Sequence, residues 1–411
     1  MCRILELTLA ILFFAFANCA MGQTEWANGR WDCELKSPGG GLKFGLIVEG
    51  AGEQNVSAFL CNGDERIKIP VVAVEQEKIR LRIDYFQSEI EATVEPNKNE
   101  LTGMWRKRKD AKTATEMRFS ARRAIENAAA NPDANEPFVG RFAVKFSSSD
   151  DPAVGVFKSN NAGGISGTFL TSTGDYRFLD GQVNEGTMEL SCFDGAHAFL
   201  FRAKSTGQGK MSGDFWSGTA WHETWTGSRD DDARLSDGFA QTSVKKGVDL
   251  GRLSFPDLEG KPRRLDDPEF RGTVRIIYVF GSWCPNCHDA ADFFGELQRD
   301  YGPRGLKILG LAFEASGDFE EDSAQLRIYL RKHSVDYPVL LAGISDKAAA
   351  GKVLPFLDQV RAFPTTIFLD GGDQIIGTYT GFSGPATGDE YEQLKRQFRE
   401  TIEPLLTNNR Q

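Results

Sequence analysis

Two textures divide the chain. Up to about residue 240, short runs alternate apolar and polar positions, as in Lys78-Ile79-Arg80-Leu81-Arg82-Ile83 and Glu89-Ile90-Glu91-Ala92-Thr93-Val94. A period of two predicts strands with one buried and one wet face, the pattern of antiparallel sheet. Turn clusters such as Asn62-Gly63-Asp64 and Pro96-Asn97-Lys98-Asn99 separate the runs. From about Val248 strands and helices alternate instead. Val274–Phe280 is a nearly continuous apolar run, suited to a strand buried on both faces. Ala290, Phe294, Leu297 and Tyr301 then mark one face of a helix. Residues 306–313 read as a second buried strand and 324–333 as a helix. Residues 366–369 and 375–379 read as a hairpin around Gly371-Gly372, and Tyr391, Leu394, Phe398, Ile402 and Leu405 stripe a final helix.

The β-rich part repeats itself. Gly29-Arg30-Trp31 recurs as Gly140-Arg141-Phe142, 111 residues later. Gly63-Asp64 followed by Arg66 recurs as Gly174-Asp175 followed by Arg177 at the same offset, and Leu101-Thr102-Gly103 recurs as Met211-Ser212-Gly213 one residue closer. Ordered matches at near-constant spacing predict a duplication, with β units at 29–122 and 139–230 joined by a linker at 123–138. Asn127-Ala128-Ala129-Ala130-Asn131-Pro132-Asp133-Ala134-Asn135, small and polar, carries the linker signal. Each unit is expected to hold about eight short strands, enough for a barrel or curled sheet. The opening Gly-x-aromatic also resembles that of lipocalin-like barrels.

With 411 residues, 40% hydrophobic and 26% charged, the chain is globular and too long for one ordinary domain. The expected class is multi-domain: N-terminal all-β duplicated units with barrel-like antiparallel sheets, then a C-terminal α/β domain at 248–411. A net charge of −10 without a long Lys/Arg block argues against a nucleic-acid partner. Residues 1–22 read as a signal peptide: Arg3 precedes an apolar stretch over 7–17, and Ala17, Ala20 and Gly22 supply small residues for cleavage. Cys19, after Phe16-Ala17-Asn18, is also the cysteine of a degenerate lipoprotein box, so a lipid anchor is a second reading. Both place the mature protein in an exported, periplasmic, disulfide-permissive compartment.

The strongest chemical signal is Trp283-Cys284-Pro285-Asn286-Cys287, between a buried strand and an amphipathic helix. Both sulfurs then sit at a helix N-terminus, where free N–H groups and the helix dipole stabilise an anion. A lowered thiol pKa makes Cys284 an attacking thiolate. Two intervening residues let Cys287 reach the first sulfur and resolve a mixed disulfide. Over 248–411 the chain resembles the TlpA-like branch of the thioredoxin superfamily. The residues that carry the resemblance are Ser282-Trp283-Cys284-Pro285-Asn286-Cys287, Phe363-Pro364-Thr365-Thr366-Ile367-Phe368-Leu369-Asp370, and Thr380-Gly381-Phe382-Ser383-Gly384-Pro385-Ala386-Thr387-Gly388. The resemblance implies a thioredoxin-like fold, a redox-active Cys284–Cys287 disulfide, and a cis Pro364 that positions substrate backbone, with Trp283 and Phe363 beside it. It also implies client proteins with thiols or disulfides, a membrane electron-relay partner if the protein reduces, and no cofactor beyond the Cys pair. Two positions depart from it. Tyr278 stands where thioredoxins keep a buried acid, and Ala290 where many TlpA-like proteins carry Glu, so no acid or base is assigned.

Other patterns carry less. Cys284-Pro285-Asn286-Cys287-His288 matches the c-type haem attachment motif, but the preceding buried strand and Trp283 speak for redox chemistry. Peroxiredoxins place Thr three residues before the reactive Cys, where this chain has Gly281. His197, His222, His288 and His333 are scattered without ligand spacing, so no metal site is assigned. Cys33 and Cys61 share the first unit, and their pairing is left open; Cys192 reads as a small buried hydrophobe. Trp216, Trp221 and Trp225 around His222 and Glu223 read as core or rim packing, and Glu320-Glu321-Asp322 as a solvated loop and helix start. The expected function is an exported thiol:disulfide oxidoreductase working in the reducing direction. The alternative is a ligand- or protein-binding module in the β units, with the thioredoxin-like part as scaffold.

Overall fold

Alternating side chains give the first 240 residues two antiparallel sheets. A computed structural model describes residues 24–110, 112–125, 132–245, 249–272 and 274–407. The predicted signal peptide with Cys19, the middle of the predicted linker and Val248 lie outside them. The first sheet holds β1 (Gly29–Ser37), β2 (Gly40–Glu49), β3 (Ser57–Asn62), β4 (Glu65–Lys68), β5 (Val71–Val74), β6 (Lys78–Ile83), β7 (Ser88–Val94), β8 (Glu100–Arg108) and β9 (Ala114–Arg123), in the order β4-β3-β2-β1-β9-β8-β7-β6-β5. Its edge strands β4 and β5 are joined by Ile69-Pro70 alone, so the sheet curls until its edges lie side by side. Ile79, Leu81 and Ile83 on β6 alternate buried with exposed neighbours, and Trp31 and Trp105 fill the core.

The second sheet holds β10 (Gly140–Phe146), β11 (Ala153–Ser159), β12 (Ile165–Thr171), β13 (Gly174–Asp175), β14 (Leu179–Asn184), β15 (Thr187–Phe193), β16 (Ala198–Gly207), β17 (Lys210–Ser217) and β18 (Trp221–Arg229). Its order is β11-β10-β18-β17-β16-β15-β14-β12-β13, and an extra β11–β12 pairing closes it into a barrel. Each sheet therefore has nine strands where about eight were expected, the very short β4 and β13 accounting for the excess. Phe142, Phe169, Phe201 and Trp225 pack the barrel interior. Trp225 is core, Trp221 is half exposed, and Glu223 is satisfied internally by Ser148 and the Trp221 indole.

The last part opens with the short hairpin β19 (Ser254–Pro256) and β20 (Pro262–Arg264). A five-stranded sheet follows, ordered β23-β22-β21-β24-β25, from β21 (Val274–Phe280), β22 (Leu306–Glu314), β23 (Val339–Ile344), β24 (Thr365–Asp370) and β25 (Ile375–Thr380). Strands β21, β22 and β23 run parallel, and β24 and β25 return antiparallel. Helices α1 (Pro285–Tyr301), α2 (Phe319–Lys332), α3 (Lys347–Val353) and α4 (Asp389–Thr407) accompany it. Every residue of β21 is buried, as its unbroken apolar run requires.

Helix α2 begins five residues earlier than its apolar stripe suggested. Asp318 caps it by accepting from Glu321 N–H, which draws the acidic run into the first turn. The run is the helix start and only partly solvated: Glu320 is exposed, Glu321 pairs with Arg108 of β8, and Asp322 is buried and accepts from Ser316 and Gly317.

Candidate active site

The chain leaves β21 through Gly281, where an added Cβ would collide with the Trp283 indole. That contact accounts for Gly281 where a peroxiredoxin would need Thr. Pro285 occupies the first turn of α1, where its missing N–H costs nothing, and Cys284 is the N-cap. Among the described residues all five cysteines are free thiols. Cys284 is 8% exposed and Cys287 fully buried.

The two thiols are electrostatically unequal. A hydrogen bond from the Cys287 thiol, backbone N–H groups of Cys287 and Asn286, and the charge of Arg177 together draw the Cys284 pKa below its ordinary value against the penalty of burial. Burial, the same hydrogen bond and the neighbouring Cys284 charge push Cys287 well up. The peptide bond Phe363-Pro364 is cis, and the Cys284 thiol donates to the Phe363 carbonyl at 3.3 Å. Trp283 donates from Nε1 to Phe313 O of β22, 2.9 Å away, and meets the Phe363 ring edge-on at 5.6 Å. The fold thus brings Trp283, Cys284, Cys287, Phe363 and Pro364 together from two loops and the first turn of α1.

Tyr278 sits behind the pair. Its hydroxyl donates to Cys287 O at 2.7 Å, and Tyr329 of α2 donates to the same oxygen at 2.9 Å. Burial pushes the Tyr278 hydroxyl well above its usual pKa, so it keeps its proton at neutral pH. Tyr278→Phe is expected to cost about 1 kcal/mol of stability, the net value of one buried hydrogen bond, with urea unfolding as the measurement. An unchanged unfolding midpoint and slope would show that the bond contributes nothing.

Several polar groups near the motif escaped the sequence. Glu314, at the end of β22, accepts from Ser282 N at 2.8 Å and Ser282 Oγ at 2.6 Å, and burial raises its pKa to about 7. A lone acid ending an apolar strand was the available signal. His288 and His333, called scattered above, meet at 2.6 Å, and His288 Nε2 lies 2.8 Å from Ser282 O. The His333 Nδ1 atom in turn faces Asp292 at 2.6 Å. Lys107 of β8 is buried enough that its pKa falls, against the pull of Asp194 and Cys284. A cleft of about 390 Å³ between the two β sheets and the redox loop is lined by Trp105, Lys107, His197, Trp221, Trp283 and Glu314. Among the described residues no group of His, Cys, Asp and Glu has the arrangement of a metal site.

The open Cys33–Cys61 question resolves against a disulfide. Cys61 shares a row with Gly45 and Asp32, whereas Cys33 lies opposite Phe44, so the two sulfurs leave opposite faces of the sheet. Cys192 is fully buried in the second core.

No protein-family model matches the chain. It is similar to the thiol-disulfide oxidoreductase ResA of Bacillus thuringiensis subsp. konkukian, 24% identical over 165 residues, which are 40% of this chain and 81% of that protein. ResA of Geobacillus thermodenitrificans is 23% identical over 141 residues, 34% of this chain and 72% of that one. The thiol:disulfide interchange protein DsbE of Vibrio cholerae is 28% identical over 76 residues, 18% of this chain and 39% of the other. Among solved structures, a secreted Mycobacterium tuberculosis disulfide oxidoreductase aligns with a TM-score of 0.27 at 14% identity, covering 36% of this chain and 98% of that one. This chain carries a thiol:disulfide oxidoreductase domain of the thioredoxin-like type. More narrowly, that domain is TlpA-like and spans about two fifths of the chain.

Proposed function

We propose that this protein is an exported, periplasmic thiol:disulfide oxidoreductase that reduces client disulfides through Cys284 and Cys287. One observation carries the reading: Cys284 caps α1 with its sulfur between helix N–H groups and the Phe363 carbonyl of the cis-Pro364 loop. The Cys284 thiolate attacks a client disulfide. A Cys284–client S–S bond forms as the client bond breaks, and the released client sulfur leaves as thiolate and takes a proton from solvent. Once Cys284 is bonded it no longer carries charge, and the repulsion that held Cys287 protonated disappears. Cys287 then gives its proton to solvent and attacks Cys284. The internal disulfide forms, the second client sulfur leaves, and two electrons have passed to the client. Trp283, Phe363 and Pro364 present the client backbone to Cys284.

Turnover needs an electron donor, which an exported compartment lacks in bulk. A membrane relay partner fills that role in this reading, with residues 1–22 as the export signal or Cys19 as a lipid anchor. The β units at 29–122 and 139–230 are read as copies of one ancestor, ahead of the redox domain at 248–411. In support, each sheet sets its first strand between its second and its last: β1 pairs β2 and β9, and β10 pairs β11 and β18.

The test is equilibration of the mature protein with glutathione buffers, followed by thiol counting. A reversible two-electron couple near the ~−270 mV of thioredoxin is expected. A value near ~−120 mV would reverse the direction, and absence of any couple would end the catalytic reading.

A further inference from the structure

The second β sheet reaches the redox helix through one short motif. Asp175, closing β13, accepts from Gly384 N at 2.6 Å and from Nδ2 of Asn286, between the two cysteines, at 3.5 Å. Arg177 pairs through both terminal guanidinium nitrogens with Asp289, two residues beyond Cys287. Its Nε faces Asp194 at 3.4 Å, and Glu65 of the first sheet lies 4.0 Å from Nη2. Three structural parts thus converge on a guanidinium whose side chain is 8% exposed.

Two observations separate this motif from ordinary surface pairing. Arg177 has φ 63, a left-handed conformation uncommon for a long side chain, braced by its own N–H donating to Asp175 Oδ1 at 2.8 Å. The residues at the same offset in the first unit, Asp64 and Arg66, are exposed to solvent. Burial of the motif is therefore no requirement of the strand pattern itself. It occurs where the sheet meets α1.

We propose that Arg177 is a positioning residue of the redox centre: through Arg177–Asp289 and Asp175–Asn286 the second β sheet clamps the start of α1 and sets a buried cation beside the Cys284–Cys287 motif. The proposal rests on the Cys284–Cys287 exchange described above. The charges facing this region are the cations Arg177 and Lys107 and the carboxylates Asp175, Asp194, Glu65 and Asp289. Burial raises Asp289 to about 6 and Glu65 to about 7, so near neutral pH Asp289 is largely ionised and Glu65 about half, and Arg177 is the guanidinium that these carboxylates share. The sequence shows this motif only as a repeat marker, because its partners on α1 and in the Gly384 loop lie more than a hundred residues away.

The experiment compares wild type with R177M, R177K and R177M/D289N, following Cys284 thiolate absorbance against pH and the rate of alkylation by iodoacetamide. The double variant removes the ion pair as a unit, which folds more readily than a buried carboxylate stripped of its partner. Loss of the cation is expected to raise the Cys284 pKa by about one unit. Alkylation at neutral pH then falls about threefold, since the scarcer thiolate is intrinsically more nucleophilic. R177K is expected to restore most of both. An unchanged Cys284 titration in R177M and the double variant overturns the proposal, as does R177K behaving like R177M, which would leave packing alone. A wild type with no reversible glutathione couple would instead remove the exchange reading, and this inference with it.

Discussion

Cys284→Ser is expected to abolish reduction of a disulfide client, and Cys287→Ser to leave a stable mixed disulfide between Cys284 and that client. The asymmetry follows from the geometry. Cys284 is the helix N-cap with the lowered thiol pKa, whereas Cys287 lies one turn inside α1, fully buried and held protonated. A serine hydroxyl at 284 is far too weak an acid to attack at neutral pH. At 287 it can still donate to the Cys284 sulfur but cannot resolve the intermediate. The pair of variants is read by non-reducing electrophoresis and mass spectrometry with a disulfide-bonded peptide. Turnover by Cys284→Ser, or a trap formed by that variant instead of Cys287→Ser, would invert the assignment. Under the rival reading, with function in the β sheets, neither variant would change ligand binding.

The second large effect concerns Glu314. Burial raises its pKa from 4.5 to about 7 even though two donors from Ser282 favour the charged form. The folded state therefore holds this proton more tightly than the unfolded chain. Its stabilising contribution is complete below about pH 4.5 and is lost as pH rises through about 7. At 1.36 kcal/mol per unit, the loss is about 3 kcal/mol. Glu314→Gln keeps both bonds, because the amide oxygen accepts from Ser282 N–H and the amide nitrogen donates to Ser282 Oγ. The variant is expected to gain about 3 kcal/mol on wild type between about pH 4.5 and about pH 8. Urea unfolding across that range measures it, and parallel pH profiles for the two proteins would refute a buried, titrating Glu314.

Much of the architecture is local and therefore legible. Residues Lys78 to Ile83 alternate because successive strand side chains face opposite ways, and β6 forms there. The apolar run at Val274 predicts a strand buried on both faces, and β21 is one. Strand, Cys-x-x-Cys and helix follow one another within thirty residues, and Phe363-Pro364 reads from its own neighbours. The errors have the same root. Asp318 starts α2 through a cap rather than an apolar position, so the periodic stripe set its start too late. Glu321 looked solvated because Arg108, which pairs with it, lies more than two hundred residues away.

By itself the sequence determined where β6, β21, β22, α1 and the final helix fall, that the front half is antiparallel sheet, and that two cysteines stand at a helix start. These depend on spacings of two, three or four residues, which any window of the chain displays. Only the tertiary structure decided what surrounds the sulfurs. It closes the second sheet through β11–β12 and leaves the first merely curled. It brings His333 to His288, Glu314 to Ser282 and Arg177 to Asp289, across 45, 32 and 112 residues. Such contacts arise from how whole sheets pack, and no residue's immediate neighbours encode them. Charge, burial and hydrogen bonding at Cys284 are sums over those distant groups, so the reactivity of the site is a property of the folded assembly of all three parts.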